Sequence, residues 1–168
     1  MGKIQSQHKL DQRIKSWFET TRCIVGYNRF ENPQHTHQWG GTAIVLTNKL
    51  TPRSTNDTTL DKLGRWTSVV LKGKGHIKTR IVSIYAPHKK GGPLSAVSQH
   101  RTYYLSQQQT DHSHKIFWNE LTKQLIKWKD NGEQLILGGN WNTDFNSLRI
   151  KQLQNQLNLH CILSVANL

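Results

Sequence analysis

Two strand-like runs, "TRIVSIYAP" and "EQLILGG", bracket a stretch in which Phe117, Leu121, Leu125 and Trp128 recur at helical spacing. A chain that passes from strand to helix and back buries the helix's single apolar face by laying it on a sheet. "DNGE" stops that helix at Gly132. Further strands are predicted ahead of it, in "CIVGYN", "GGTAIVLTNKL" and "RWTSVVLKG". The glycine-bearing "KGKGH" joins the last of these to "TRIVSIYAP" as an antiparallel hairpin. Strands at 42–46, 66–71, 80–85 and 134–137 are expected to share one core, with the helix at 117–128 packed on it. Two more helices follow from spacing. Leu10, Ile14, Trp17 and Phe18 mark one over about 10–22, and Ile150, Leu153 and Leu157 mark another over about 147–159. "RFENPQHTHQW", "TPRSTNDTTL" and "HKKGGPLSAVSQH" read as polar loops. A run of strands with helices before and after it predicts an α/β (α+β) sandwich with mixed sheets flanked by helices. No repeat or boundary divides the 168 residues, so 1–168 reads as a single domain.

Lys and Arg number 23 against 10 Asp and Glu, a formal net charge of +13. Such an excess favours polyanionic partners, nucleic acid first, with a merely solvated basic surface as the alternative. Six tryptophans argue for a packed core rather than disorder. No apolar run reaches membrane-spanning length, and "MGKIQSQHKL" lacks the apolar core of a signal peptide. The expectation is an intracellular protein, nuclear or cytoplasmic, with no membrane partner. Cys23 and Cys161 have no metal-type spacing.

The stretch "LILGGNWNTDF" suits a site hung at a strand end. Gly138 and Gly139 let the backbone turn, and Asn140, Asn142, Thr143 and Asp144 then offer short polar side chains. Together, "WGGTAIVLTNKL", "TRIVSIYAP", "FWNELTKQLIKW" and "EQLILGGNWNTD", in that order over about 39–145, resemble the endonuclease/exonuclease/phosphatase superfamily. The likeness is greatest to its retrotransposon-type endonuclease-like domains. The resemblance implies Mg²⁺-dependent phosphodiester hydrolysis. It also implies that the late turn carries an Asp that activates water and, two residues on, an Asn that holds a phosphate oxygen. Asn142 matches the Asn, but Asn140 stands where the Asp belongs. An amide donates hydrogen bonds but has no basic oxygen to take a water proton. A plain Asn-rich turn capping the strand is the bland alternative.

In "SIYAPHKK", Tyr85 matches the family's phosphate-contacting Tyr, whereas His88 replaces a frequent Asn. His88, Lys89 and Lys90 together offer charge to a phosphate, or form an exposed basic loop. Arg101, with Tyr103 and Tyr104, places a cation and rings beside a nucleic-acid strand, or else marks a half-buried helix face. Trp141 suits packing better than base stacking. The family's early metal-binding Glu and its terminal Asp-His pair have no counterpart here. Glu19 and Glu31 are the only early Glu residues, Glu120 and Glu133 lie on the late helix and its exit turn, and the chain stops at "LHCILSVANL". The domain is therefore expected to be truncated at both ends, with missing segments or a partner protein completing it and no Mg²⁺ held by this chain alone. His35-x-His37 and His112-x-His114 have spacing open to zinc but lack a third ligand. The sequence reading is thus a degenerate or truncated superfamily domain that binds nucleic acid, DNA ahead of RNA. Two alternatives stay open: an active metal-dependent endonuclease completed by other segments, and a basic binding or assembly protein without catalysis.

Overall fold

The computed structural model describes residues 20–28, 40–93 and 95–161, together with Gln12, Ser16 and Phe18. Its elements run β1 (Thr21–Gly26), β2 (Thr42–Thr47), β3 (Ser54–Leu60), β4 (Trp66–Lys72), β5 (Lys78–Tyr85), α1 (Ala96–Ser106), α2 (Ser113–Asp130), β6 (Gln134–Asn140) and α3 (Leu148–Leu157). The fold is an α+β sandwich of two sheets. One is the antiparallel pair β1–β2, and the other is a mixed sheet in the order β3-β4-β5-β6.

β4 shows why the layers stack as they do. Six of its seven residues are buried, so both of its faces are covered. Trp66 joins Val82 and Ile84 of β5 under the helices, while Val69 and Leu71 meet Ile24, Ile44 and Leu46 of the β1–β2 pair. That split is the period-two alternation of a strand. The helix face holds the larger core, because Phe117, Trp118, Leu121, Leu125 and Trp128 of α2 and Ile150, Leu153 and Leu157 of α3 all pack there. Phe117, Leu121 and Leu125 are fully buried, as their spacing predicts. Truncating any one of them to Ala costs about 2–5 kcal/mol.

β4 and β5 pair antiparallel across the short 3-10 turn Lys74–His76, as the hairpin reading expects. β5 and β6 pair parallel, because the chain travels through α1 and α2 before it returns. One expected core strand lies elsewhere: residues 42–46 belong to the β1–β2 pair, which packs on the sheet rather than joining it.

Three local readings need correction. "TPRSTNDTTL" reads as a loop from its composition, yet Ser54–Leu60 is the edge strand β3. It pairs on one side only, with an irregularity between Ser54 and Thr58. Arg22 anchors it by donating to Ser54 Oγ at 2.9 Å and to the Thr55 carbonyl at 2.7 Å. Tertiary contact overrides weak strand propensity here. "HKKGGPLSAVSQH" is only partly a loop, for α1 begins at Ala96, capped by the Ser95 side chain. The helix expected at 10–22 falls mostly outside the described residues, but Thr21 and Arg22 already belong to β1, paired with Thr47 and Leu46. Among the described residues, no helix is long and apolar enough to cross a membrane.

Candidate nucleic-acid interface

The parallel register of β5 and β6 sets Tyr85 opposite Asn140, so the two strands end side by side. The pair is drawn close at Gly139, whose φ is +133° and whose added Cβ would lie 2.0 Å from the Ile84 carbonyl oxygen. No side chain fits there. Beyond Gly139 the chain turns on its own amides. The backbone N–H of Asn142 donates to Asn140 Oδ1 at 3.1 Å, and Asn142 adopts a left-handed φ of 45°. Asn142 Nδ2 donates to the Ala86 carbonyl at 2.7 Å, while the Ala86 N–H donates to the Asn140 carbonyl at 2.8 Å. These bonds lash the end of β6 to the segment after β5. Asp144 caps the following turn by accepting from the Asn146 N–H at 2.8 Å.

Tyr85, Asn140 and Asn142 are therefore brought together. Tyr85 is half-buried, its ring against Gly40, where an added Cβ would stand 3.3 Å from Tyr85 Cε1. Asn140 is exposed. Asn142 already uses one amide hydrogen on Ala86, which leaves its second hydrogen and its oxygen for a ligand. After the buried Ala86 and Pro87, His88, Lys89 and Lys90 are all exposed. Trp141 is 8% exposed and stacks on Trp118, with ring centroids 5.9 Å apart and planes 18° from parallel. That is core packing. Arg101 is carried by a different element, on the exposed side of α1. Tyr104 is buried beneath it and Tyr103 packs edge-on against Tyr104, which matches the helix-face reading.

Two buried arginines went unnoticed in the sequence. Arg80 is 2% exposed and donates to Glu133 through both Nε and Nη2. It also reaches Ser68 Oγ at 3.0 Å and Asp57 at 3.1 Å, and its guanidinium lies 4.6 Å from the Trp128 ring centroid. Burial alone would lower its pKa, but the hydrogen bonds it donates to Glu133 and Asp57, with their charges, outweigh this and raise it. Its signal was its phase, since Arg80 shares the buried face of β5 with Val82 and Ile84. Arg65 donates to Asp61, Glu120 and Tyr104, and these partners likewise raise its pKa against burial. Beside it, His100 is pushed down to about 4, by burial first and the Arg65 charge second.

Mg²⁺ prefers carboxylate and water oxygens in tight octahedral geometry. The groups gathered at the turn are two amides and a phenol; Asn140 Oδ1 is already taken by its own turn, and the one carboxylate nearby in sequence, Asp144, caps the next turn. Glu120 and Glu133, the late-chain candidates, are bound to Arg65 and Arg80. The residues at this turn do not fit the ion. Among the described residues, no three His, Cys, Asp or Glu side chains gather as a metal site. His112 and His114 are instead engaged locally: His112 Nδ1 accepts from the His114 N–H at 3.3 Å, and Trp118 Nε1 donates to His114 Nε2 at 3.1 Å. His35 and His37 lie outside the described residues, as do Glu19 and Glu31. No protein-family model matches this chain, and no curated protein matches it either.

Proposed function

We propose that this chain is a nucleic-acid-binding domain on a nuclease-like frame whose hydrolytic turn is disarmed, with DNA as the preferred polymer. The observation that carries the reading is the register of Tyr85 with Asn140, which sets a phenol and two amides at one strand end beside the exposed His88-Lys89-Lys90 loop. Such groups donate hydrogen bonds to phosphate oxygens, and the lysines add charge. The phenol and the two amides do not take a proton from water at neutral pH, so the strand end itself suits holding a phosphodiester rather than cleaving it. The +13 net charge supports the same partner.

Binding of a short DNA duplex and of its single strands, followed across a salt series, tests this reading. Affinity should fall steeply with salt, with the log–log slope set by the phosphates neutralised. Replacing both Lys89 and Lys90 with Ala should flatten that slope by about 1.5. The full chain should not nick plasmid DNA in Mg²⁺. Chelator-sensitive nicking would overturn the disarmed reading, and absence of binding at low salt would overturn nucleic acid as the partner.

A further inference from the structure

A second group of side chains, with no part in the turn, meets just behind it. Arg149, on the first turn of α3, lies over Trp118 at 5.7 Å from its ring centroid. Trp118 also donates to His114 Nε2 and stacks on Trp141, so the group adjoins the Asn140–Asn142 turn through two tryptophans. The charges that reach His114 are all positive. After burial itself, Lys89, Arg149 and His112 keep its pKa below the ordinary histidine value. Asp111, the nearest carboxylate in sequence, is held by Lys115 at 3.1 Å. Because Trp118 donates to Nε2, neutral His114 carries its proton on Nδ1 and offers a donor there.

This junction opens into a groove of about 450 Å³ between α2 and α3. Its polar walls are Asn119, Thr122, Lys123, Arg149, Gln152 and Gln156, and no carboxylate lines it. The groove on the other side of α2, against α1, is larger at about 930 Å³ but includes Asp61, Glu120 and Asp130. Like charges gathered without a counter-charge repel, and an anion between them relieves that repulsion. A groove walled by amides, a hydroxyl and cations matches the needs of a phosphate backbone, which accepts hydrogen bonds and carries one charge per residue. Carboxylates on the α1 side oppose the same ligand.

We infer that His112, His114 and Arg149, together with the α2–α3 groove and its Lys123, form a track for the sugar–phosphate backbone of one nucleic-acid strand. The strand leaves the Tyr85–Asn140 end along the α3 side of α2, away from the α1 groove. The inference rests on the nucleic-acid reading above and adds the path to it.

The test uses the full chain and a fluorescent single-stranded oligonucleotide in a salt series. Three proteins are compared: the parent, the double variant Lys123→Gln/Arg149→Gln, and Lys129→Gln, an exposed lysine at the far end of α2, as the charge control. All three replaced side chains are exposed, so the fold should persist, and circular dichroism checks it. Two lost phosphate contacts should flatten the log–log slope by about 1.4, while Lys129→Gln leaves it near the parent's. Arg149→Gln alone should flatten it by about 0.7. Parent-like slopes in both groove variants would overturn the track and leave the nucleic-acid reading standing. No binding by the parent at low salt would overturn both.

Discussion

The two ends of the β5–β6 pair use polar groups in opposite ways. Where β6 begins, Glu133 and Arg80 are a dry ion pair, with 5% and 2% of their side chains exposed, closed further by Ser68 and the Trp128 ring. Where β6 ends, Asn140 and Asn142 supply amides, and the cations of the loop after β5, Lys89 and Lys90, are exposed. The same division of labour recurs at Arg65, whose partners are Asp61 and Glu120. Four of the chain's ten carboxylates thus hold two buried arginines in place. In so basic a chain, these carboxylates are spent on buried cations, and the strand end has amides at both Asn140 and Asn142.

The largest effect should come from breaking the closed end. Arg80→Ala leaves Glu133 buried without its partner and should destabilise the fold by about 3–5 kcal/mol in urea denaturation. Arg80→Met combined with Glu133→Leu should recover most of that loss, because both desolvation costs vanish together and Asp57, 55% exposed, can return to water. If the double variant is as unstable as Arg80→Ala, the pair contributes more than mutual neutralisation and the contrast between the two ends is too simple.

Next in size is a pH effect at the second buried arginine. His100 is 1% exposed, and its pKa sits near 4 against 6.5 for a free histidine. Between those values the unfolded chain takes up a proton that the folded chain refuses. Its contribution is therefore complete above pH 6.5 and lost as pH falls toward 4, about 3 kcal/mol in all. Urea midpoints measured from pH 7 to pH 4 should fall more steeply for the parent than for His100→Gln. Parallel curves would show that His100 titrates normally and that this region is wetter than its burial implies.

How much of this was legible depends on whether the signal lay in one segment or several. The face Phe117, Leu121, Leu125 and Trp128 repeats within a single 18-residue helix, so its burial could be read directly. Tyr85 ends the strand expected at 80–85 and Asn140 lies just past the one expected at 134–137, so their meeting needed only that those strands pair and that β6 run on. β3 was invisible, because an edge strand pairs on one side and tolerates a Thr/Asn-rich sequence that also suits a loop. The His114–Trp118–Arg149 junction was invisible for a different reason. Its members come from two separate helices, and only the packing of Trp118 against Trp141 and beneath Arg149 brings them together.

The smallest expected effect is at the open end, from Asn140→Asp. The turn should survive, since a carboxylate oxygen accepts the Asn142 N–H as well as the amide oxygen does now. Stability should change by less than about 0.5 kcal/mol, as for most exposed substitutions. Affinity for DNA should weaken a few-fold, because a negative charge then faces the phosphate. Hydrolysis should still be absent in Mg²⁺. One carboxylate supplies an acceptor for a water proton, but a hard dication needs several oxygens; Asp144 caps its own turn through the Asn146 N–H, and Glu120 and Glu133 are committed to Arg65 and Arg80. Charge developing on the phosphate oxygens would remain uncompensated, and that electrostatic contribution is commonly the largest in such a reaction. Groups that act as a unit are far from additive, so restoring one recovers little. A plasmid-nicking assay on parent and Asn140→Asp, with a chelated control, decides the point. Nicking by the variant alone would mean that the remaining catalytic groups are present in this chain, and that the two ends of β6 differ by a single atom's chemistry rather than by design.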